Sequence, residues 1–139
     1  MLIIISLFLK QQLLHRTKKI AHDCVKLSLQ LPNNYLSNHT KGQLIRCSTS
    51  VAANYRASCI AQTKKSFVSK LSIVIEEIDE AAFWLEFLID ENILPRELCL
   101  PFHKEASELT AIFVSSRKTA SKALNAVSAE NKNKSINNE

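Results

Sequence analysis

"KKSFVSKLSIVIEEIDEAAFWLEFLIDE", residues 64–91, carries the clearest periodicity in the chain. Phe67, Leu71, Val74, Ile78, Ala81, Leu85 and Leu88 recur in alternating steps of four and three, so they share one side of an α-helix. Val68, Ile75, Ala82 and Ile89 widen the stripe. This is the spacing of a helical-bundle core. At about 100° per residue, Ile73, Phe83, Trp84 and Phe87 fall on the other side of the same helix. A monomeric bundle leaves such large groups in water. A second buried surface, an oligomer interface built on these four residues, is the economical expectation.

The flanking segments extend the pattern. Thr63 reads as the N-cap of this third helix, although the position three residues on is Ser66 rather than an acid. Upstream, "TSVAANYRA" (49–57) crowds small side chains on a second helix expected at 39–59, with Ser37 or Asn38 as its cap. Its inward stripe is Leu44, Ser48, Val51, Tyr55 and Ser58. Ser48, Val51, Ala52, Asn54 and Tyr55 form a packing seam where a neighbouring helix approaches closely, and the Asn54 amide is placed to bond across it. The first helix shows Ile20, Cys24, Leu27 and Leu31, preceded by Leu13 and stopped by Pro32. After a turn at "DENILPREL", the fourth shows Ala106, Leu109, Phe113, Ser116, Ala120, Ala123 and Val127. Pro101 either starts that helix or kinks an earlier turn.

A chain of 139 residues with one glycine and three prolines lacks the turn formers a many-stranded sheet needs. The expectation is all-α: an antiparallel up-down-up-down four-helix bundle, oligomeric, at residues 13–129. Residues 1–12, opening "MLIIISLFLK", form an apolar leader that extends the first helix irregularly. The leader falls short of the ~20 apolar residues that span a bilayer, and no membrane partner is expected. The tail "AENKNKSINNE" has no apolar period, and disorder is expected over residues 130–139.

Chemical motifs are scarce. No Glu stands three residues before His15, His22, His39 or His103, as a carboxylate-bridged metal site in a bundle requires. Cys24, Cys47, Cys59 and Cys99 are widely spaced and read as small core fillers in a reducing, cytoplasmic setting. With Gly42 as the sole glycine, neither a nucleophile elbow nor a phosphate-cradling loop can form. No catalytic residue, metal or cofactor is expected, and the chain does not read as an enzyme.

Charge is more informative. Residues 1–75 hold eleven Lys or Arg against one acid, whereas residues 76–91 hold seven acids and no base. Complementary patches within the bundle or between subunits follow. Lys18, Lys19, Lys26, Lys41, Arg46, Arg56, Lys64 and Lys65, with Lys70, are candidate contacts for phosphate backbones. In an assembly of identical subunits such weak contacts sum.

The run from Leu44 to Leu94 resembles the bacterial four helix bundle protein family, also known as the ribosomal RNA intervening-sequence proteins. The resemblance rests on Ser50 to Ala57, Phe67, Lys70-Leu71, and Glu76-Glu77 through Glu80 to Trp84-Leu85. "HRTKKIAHDCVKLSLQLP" and "EASELTAIFVSSRKTA" resemble the family's first and last helices, so the likeness covers about residues 15–123. It implies an antiparallel four-helix subunit assembled as a ring, a homopentamer in relatives, and it implies no defined activity. One related branch partners a reverse transcriptase and binds nucleic acid through a basic surface. The two functional expectations are an rRNA- or retroelement-associated accessory or scaffold that contacts RNA or DNA, and a purely structural oligomer that contacts only protein.

Overall fold

A computed structural model describes residues 1–137. It contains four helices: α1 (Leu2–Ser28), α2 (Tyr35–Cys59), α3 (Lys64–Asp90) and α4 (Arg96–Ile136), with no strand among the described residues. Local chemistry fixes the boundaries. Asn34, in extended backbone after Pro32, accepts a hydrogen bond from the Ser37 backbone N–H at 2.9 Å. Helix α2 therefore starts four residues before the expected 39, and Ser37 and Asn38 lie inside it rather than capping it. Thr63 caps α3 as expected, accepting from the Ser66 N–H at 3.0 Å.

The end of α3 closes without a glycine. Asn92 takes the left-handed conformation, φ 52°, and its N–H bonds the Ile89 carbonyl while the Ile93 N–H reaches back to Leu88. That pairing is a Schellman closure, and asparagine is the residue that best replaces glycine in it. Helix α4 begins directly after Pro95, so Pro101 does not start the helix; it sits inside the second turn, on the exposed side. Its missing N–H leaves the carbonyl of the exposed Glu97 free to turn to water.

Each helix packs against its neighbour in the chain, and α1 meets α4 only sparsely. The alternating stripe is the core: Leu71, Val74, Ile78, Ala81, Leu85 and Leu88 of α3 are fully buried among Ile20, Cys24, Leu27, Leu44, Val51, Leu109 and Phe113. Burying one such side chain contributes about 1.5–3 kcal/mol. Tyr55 and Phe113 meet across this core with ring centroids 5.2 Å apart. Small hydroxyl residues fill the tighter places. Thr17, Ser28, Thr40 and Ser58 each donate to a carbonyl one turn back on the same helix, at 2.7–3.0 Å. On α2, Ser48, Val51 and Tyr55 are buried and Ala52 is half-buried. Asn54 differs: its amide donates to Ser50 on its own helix rather than across the seam. The near side chain satisfies it before a neighbouring helix can.

Burial stops well before the helices do. No residue of α1 before Thr17, of α3 before Leu71 or of α4 after Phe113 is buried. Ser116, Ala120 and Ala123 are half-buried and Val127 is exposed, so the fourth stripe fades toward its end. The leader is regular helix from Leu2 onward, not irregular. The tail is also corrected: residues 130–136 continue α4 as exposed helix, while residues 138 and 139 lie outside the described residues. Extending an existing helix avoids the nucleation cost, and this segment has neither Gly nor Pro to stop it.

Candidate functional site

Two surfaces stand out from the rest. The first is an aromatic flank along α3. Trp84 meets Phe83 edge-on at 5.0 Å and Phe87 at 5.5 Å, and His39 of α2 also meets it edge-on, at 5.6 Å. The indole N–H donates to Glu80 at 3.3 Å. Of the four residues expected to face water in a monomer, Phe83 is 53% exposed. Ile73, Trp84 and Phe87 are half-buried, and Trp84 packs against the core edge. The helical angle alone placed them outside; His39 and the mutual packing of the rings cover Trp84 and Phe87 in part.

Below this cluster the acids of α3 find partners. Arg46 of α2 bridges Glu77, at 3.0 Å, and Glu80. The Arg46 hydrogen bond holds the Glu80 carboxyl below the usual carboxylate range, with partial burial opposing and the Trp84 N–H assisting. On α1, Arg16 grips Glu105 of α4 through two bonds of 2.7 and 3.0 Å, and Lys19 pairs with Asp23 at 2.6 Å. Arg46 and Lys19 thus serve the bundle's own carboxylates. No ion pair among the described residues involves Lys18, Lys26, Lys41, Arg56, Lys64, Lys65 or Lys70.

The second surface is an end of the bundle. The sparse contact between α1 and α4 leaves an open groove of about 800 Å³. Leu2, Ile5, Leu9 and Lys10 line it from α1, Tyr55 and Cys59 from α2, Lys64 and Phe67 from α3, Ile112 and Ser116 from α4. Three distant stretches therefore meet at this end. Residues 1–22, 50–75 and 110–129 hold eleven Lys or Arg and no Asp or Glu. Lys64, Lys65 and Arg56 were legible as candidates. Lys10, Arg117, Lys118 and Lys122 were not, although the absence of acid across residues 110–129 was a usable signal. Lys26, Lys41 and Arg46 lie farther along the bundle. The opposite end, with the turns after α1 and α3, carries Glu86, Asp90, Glu91 and Glu97.

Reactive groups are few. Burial pushes the Cys24 and Cys47 thiols up to about 12, and the Cys99 thiol upward as well; all four cysteines are free. No three His, Cys, Asp or Glu side chains among the described residues come together as metal ligands. No helix among them is long and apolar enough to cross a membrane.

The fold defines an all-helical protein of four helices that carries two distinctive surface patches, the aromatic flank of α3 and the basic end. The sequence profile of the 23S rRNA-intervening sequence protein family matches residues 10–115, and the chain belongs to that family. A protein of unknown function from the S23 ribosomal protein family of Bacteroides thetaiotaomicron, solved at 1.70 Å, has a similar structure. The two share 28% identity and a TM-score of 0.70, over 76% of this chain and 98% of that one. No curated protein matches the chain.

Proposed function

We propose that this chain is a non-catalytic, antiparallel four-helix subunit that assembles with copies of itself and presents its basic end to RNA or DNA. The antiparallel reading rests on partners such as His39 with Trp84 and Arg46 with Glu77: as numbers rise on α2 they fall on α3. Turns of only a few residues between successive helices agree. Self-assembly uses the aromatic flank of α3, where Phe83 is the exposed member of a ring cluster centred on Trp84; the family resemblance points to five copies. The single observation that carries nucleic-acid contact is the basic end, where three acid-free stretches converge on one groove. Phosphate backbones are attracted by such a field without regard to sequence, and an assembly multiplies weak contacts.

Titration of single-stranded and duplex RNA and DNA at several salt concentrations tests the reading. Binding should weaken linearly in log–log form as salt rises. Absence of salt-sensitive binding to any of them would leave the protein-only scaffold, whose sole contact is the aromatic flank.

A further inference from the structure

We propose that the outward face of the first turns of α1 docks the protein on an anionic lipid surface. Residues 2–9 of α1 are apolar at every position except Ser6. Leu2, Ile5 and Leu9 look toward the groove, whereas Ile3, Ile4, Leu7 and Phe8 are absent from its lining and are 76, 71, 54 and 61% exposed. A contiguous apolar patch of this kind on a soluble bundle marks a contact surface. A helix lying on a bilayer sinks one apolar face into the headgroup–acyl boundary and keeps its other side on the protein, which is the division α1 shows here. Eight helical residues span about 12 Å, less than half of a ~30 Å hydrocarbon core. Too short to cross a membrane, the segment is long enough to lie within one leaflet's interface.

Charge on the same face selects the headgroup. Helical spacing continues Ile4, Leu7 and Phe8 into Gln11, His15, Lys18, His22 and Lys26. Lys18 and Lys26 are exposed and form no ion pair among the described residues. Asp23, the only acid of α1, turns instead toward α4 and pairs with Lys19 beside Phe102 and Glu105. An apolar wedge followed by unpaired cations supplies the two signals that stable attachment to an anionic membrane needs. The apolar residues lie outside the family match, so this inference does not rest on the nucleic-acid reading.

The test is flotation of the full chain with vesicles of phosphatidylcholine alone and of phosphatidylcholine mixed with phosphatidylglycerol. Binding to the mixed vesicles and not to the neutral ones is expected. Ile4→Ser with Phe8→Ser should lower the partition by at least about tenfold, because two large apolar side chains no longer leave water on binding. Both positions are exposed, so the thermal melt of the variant should match the parent and its nucleic-acid binding should persist. Lys64→Glu with Lys65→Glu should weaken nucleic-acid binding and spare vesicle binding. Failure of the parent chain to float with anionic vesicles overturns the proposal. So does unchanged flotation of the apolar variant, which would mean purely electrostatic adsorption. A drop in oligomer mass in that variant, without vesicle binding by the parent, would assign the face to a second copy instead.

Discussion

The two ends of this bundle are built from the same four helices and differ in almost every physical respect. Toward the turns after α1 and α3, the helices hold the buried stripe from Ile20 to Leu31, Leu44 to Val51, Val74 to Leu88 and Cys99 to Leu109. Acids gather there, and the tight Asn92 closure pins α3 to α4. Toward the α1 N-terminus, no residue of α3 before Leu71 is buried, and α1 meets α4 only sparsely. Arg56, Lys64, Lys65 and Lys70 form no ion pair among the described residues, although Arg16 reaches Glu105 and Lys19 reaches Asp23. Like charges left without partners repel one another and add nothing to the fold. Their accumulation where packing is weakest is what supports the proposed contact with polyanions, while most of the buried core lies toward the closed end.

The contrast can be broken first at the core. Ile78→Ala or Leu85→Ala removes a fully buried side chain of the closed half and should cost about 2–5 kcal/mol in urea unfolding. Phe67→Ala, at the half-buried open end, should cost less than either. An equal loss at both places would erase the distinction. Next comes the flank between the ends: Trp84→Glu should convert the assembly to monomers by light scattering. Retention of the full mass would remove α3 from the interface.

Thiol chemistry sharpens the comparison further. Alkylation of the native protein should label Cys59, which lines the open groove, and leave Cys24, Cys47 and Cys99 untouched, because burial keeps them protonated. Mass spectrometry of the digest reads the pattern directly. The smallest effect belongs to Glu80. Its carboxyl titrates lower in the folded protein than in the unfolded chain, so its contribution to stability is present above the unfolded value and fades as pH falls through the folded one. Glu80→Gln should flatten the acid limb of the stability–pH curve. The pair is about a third to a half exposed, which keeps the change below ~1 kcal/mol.

What the sequence made legible follows from this asymmetry. The stripe on α3 was readable because a helix in a core buries one side, and every residue from Leu71 to Leu88 in that register is buried. The Thr63 cap was readable because a single hydroxyl next to a helical run has one obvious task. The start of α2 was not, because Asn34, Ser37 and Asn38 are all competent caps and only the chain path after Pro32 selects Asn34. Periodicity placed Trp84 on the outer side but carries no information about His39 leaning over it. The basic end was half visible: Lys64 and Lys65 announce themselves, yet Lys118 and Lys122 join them only once α4 folds back along α3. Arg46 reads as a free cation until its spacing to Glu77 and Glu80 is known.

The central claim is that the open end, and not basic charge in general, holds nucleic acid. Its most direct measurement is the salt dependence of RNA and DNA binding for the parent chain, for Lys64→Glu with Lys65→Glu, and for Lys26→Glu with Lys41→Glu. The account predicts that the first pair flattens the log–log salt slope by about two while the second pair, of equal charge change, shifts it less. Equal losses from both pairs, or no salt-sensitive binding in the parent chain, would contradict it.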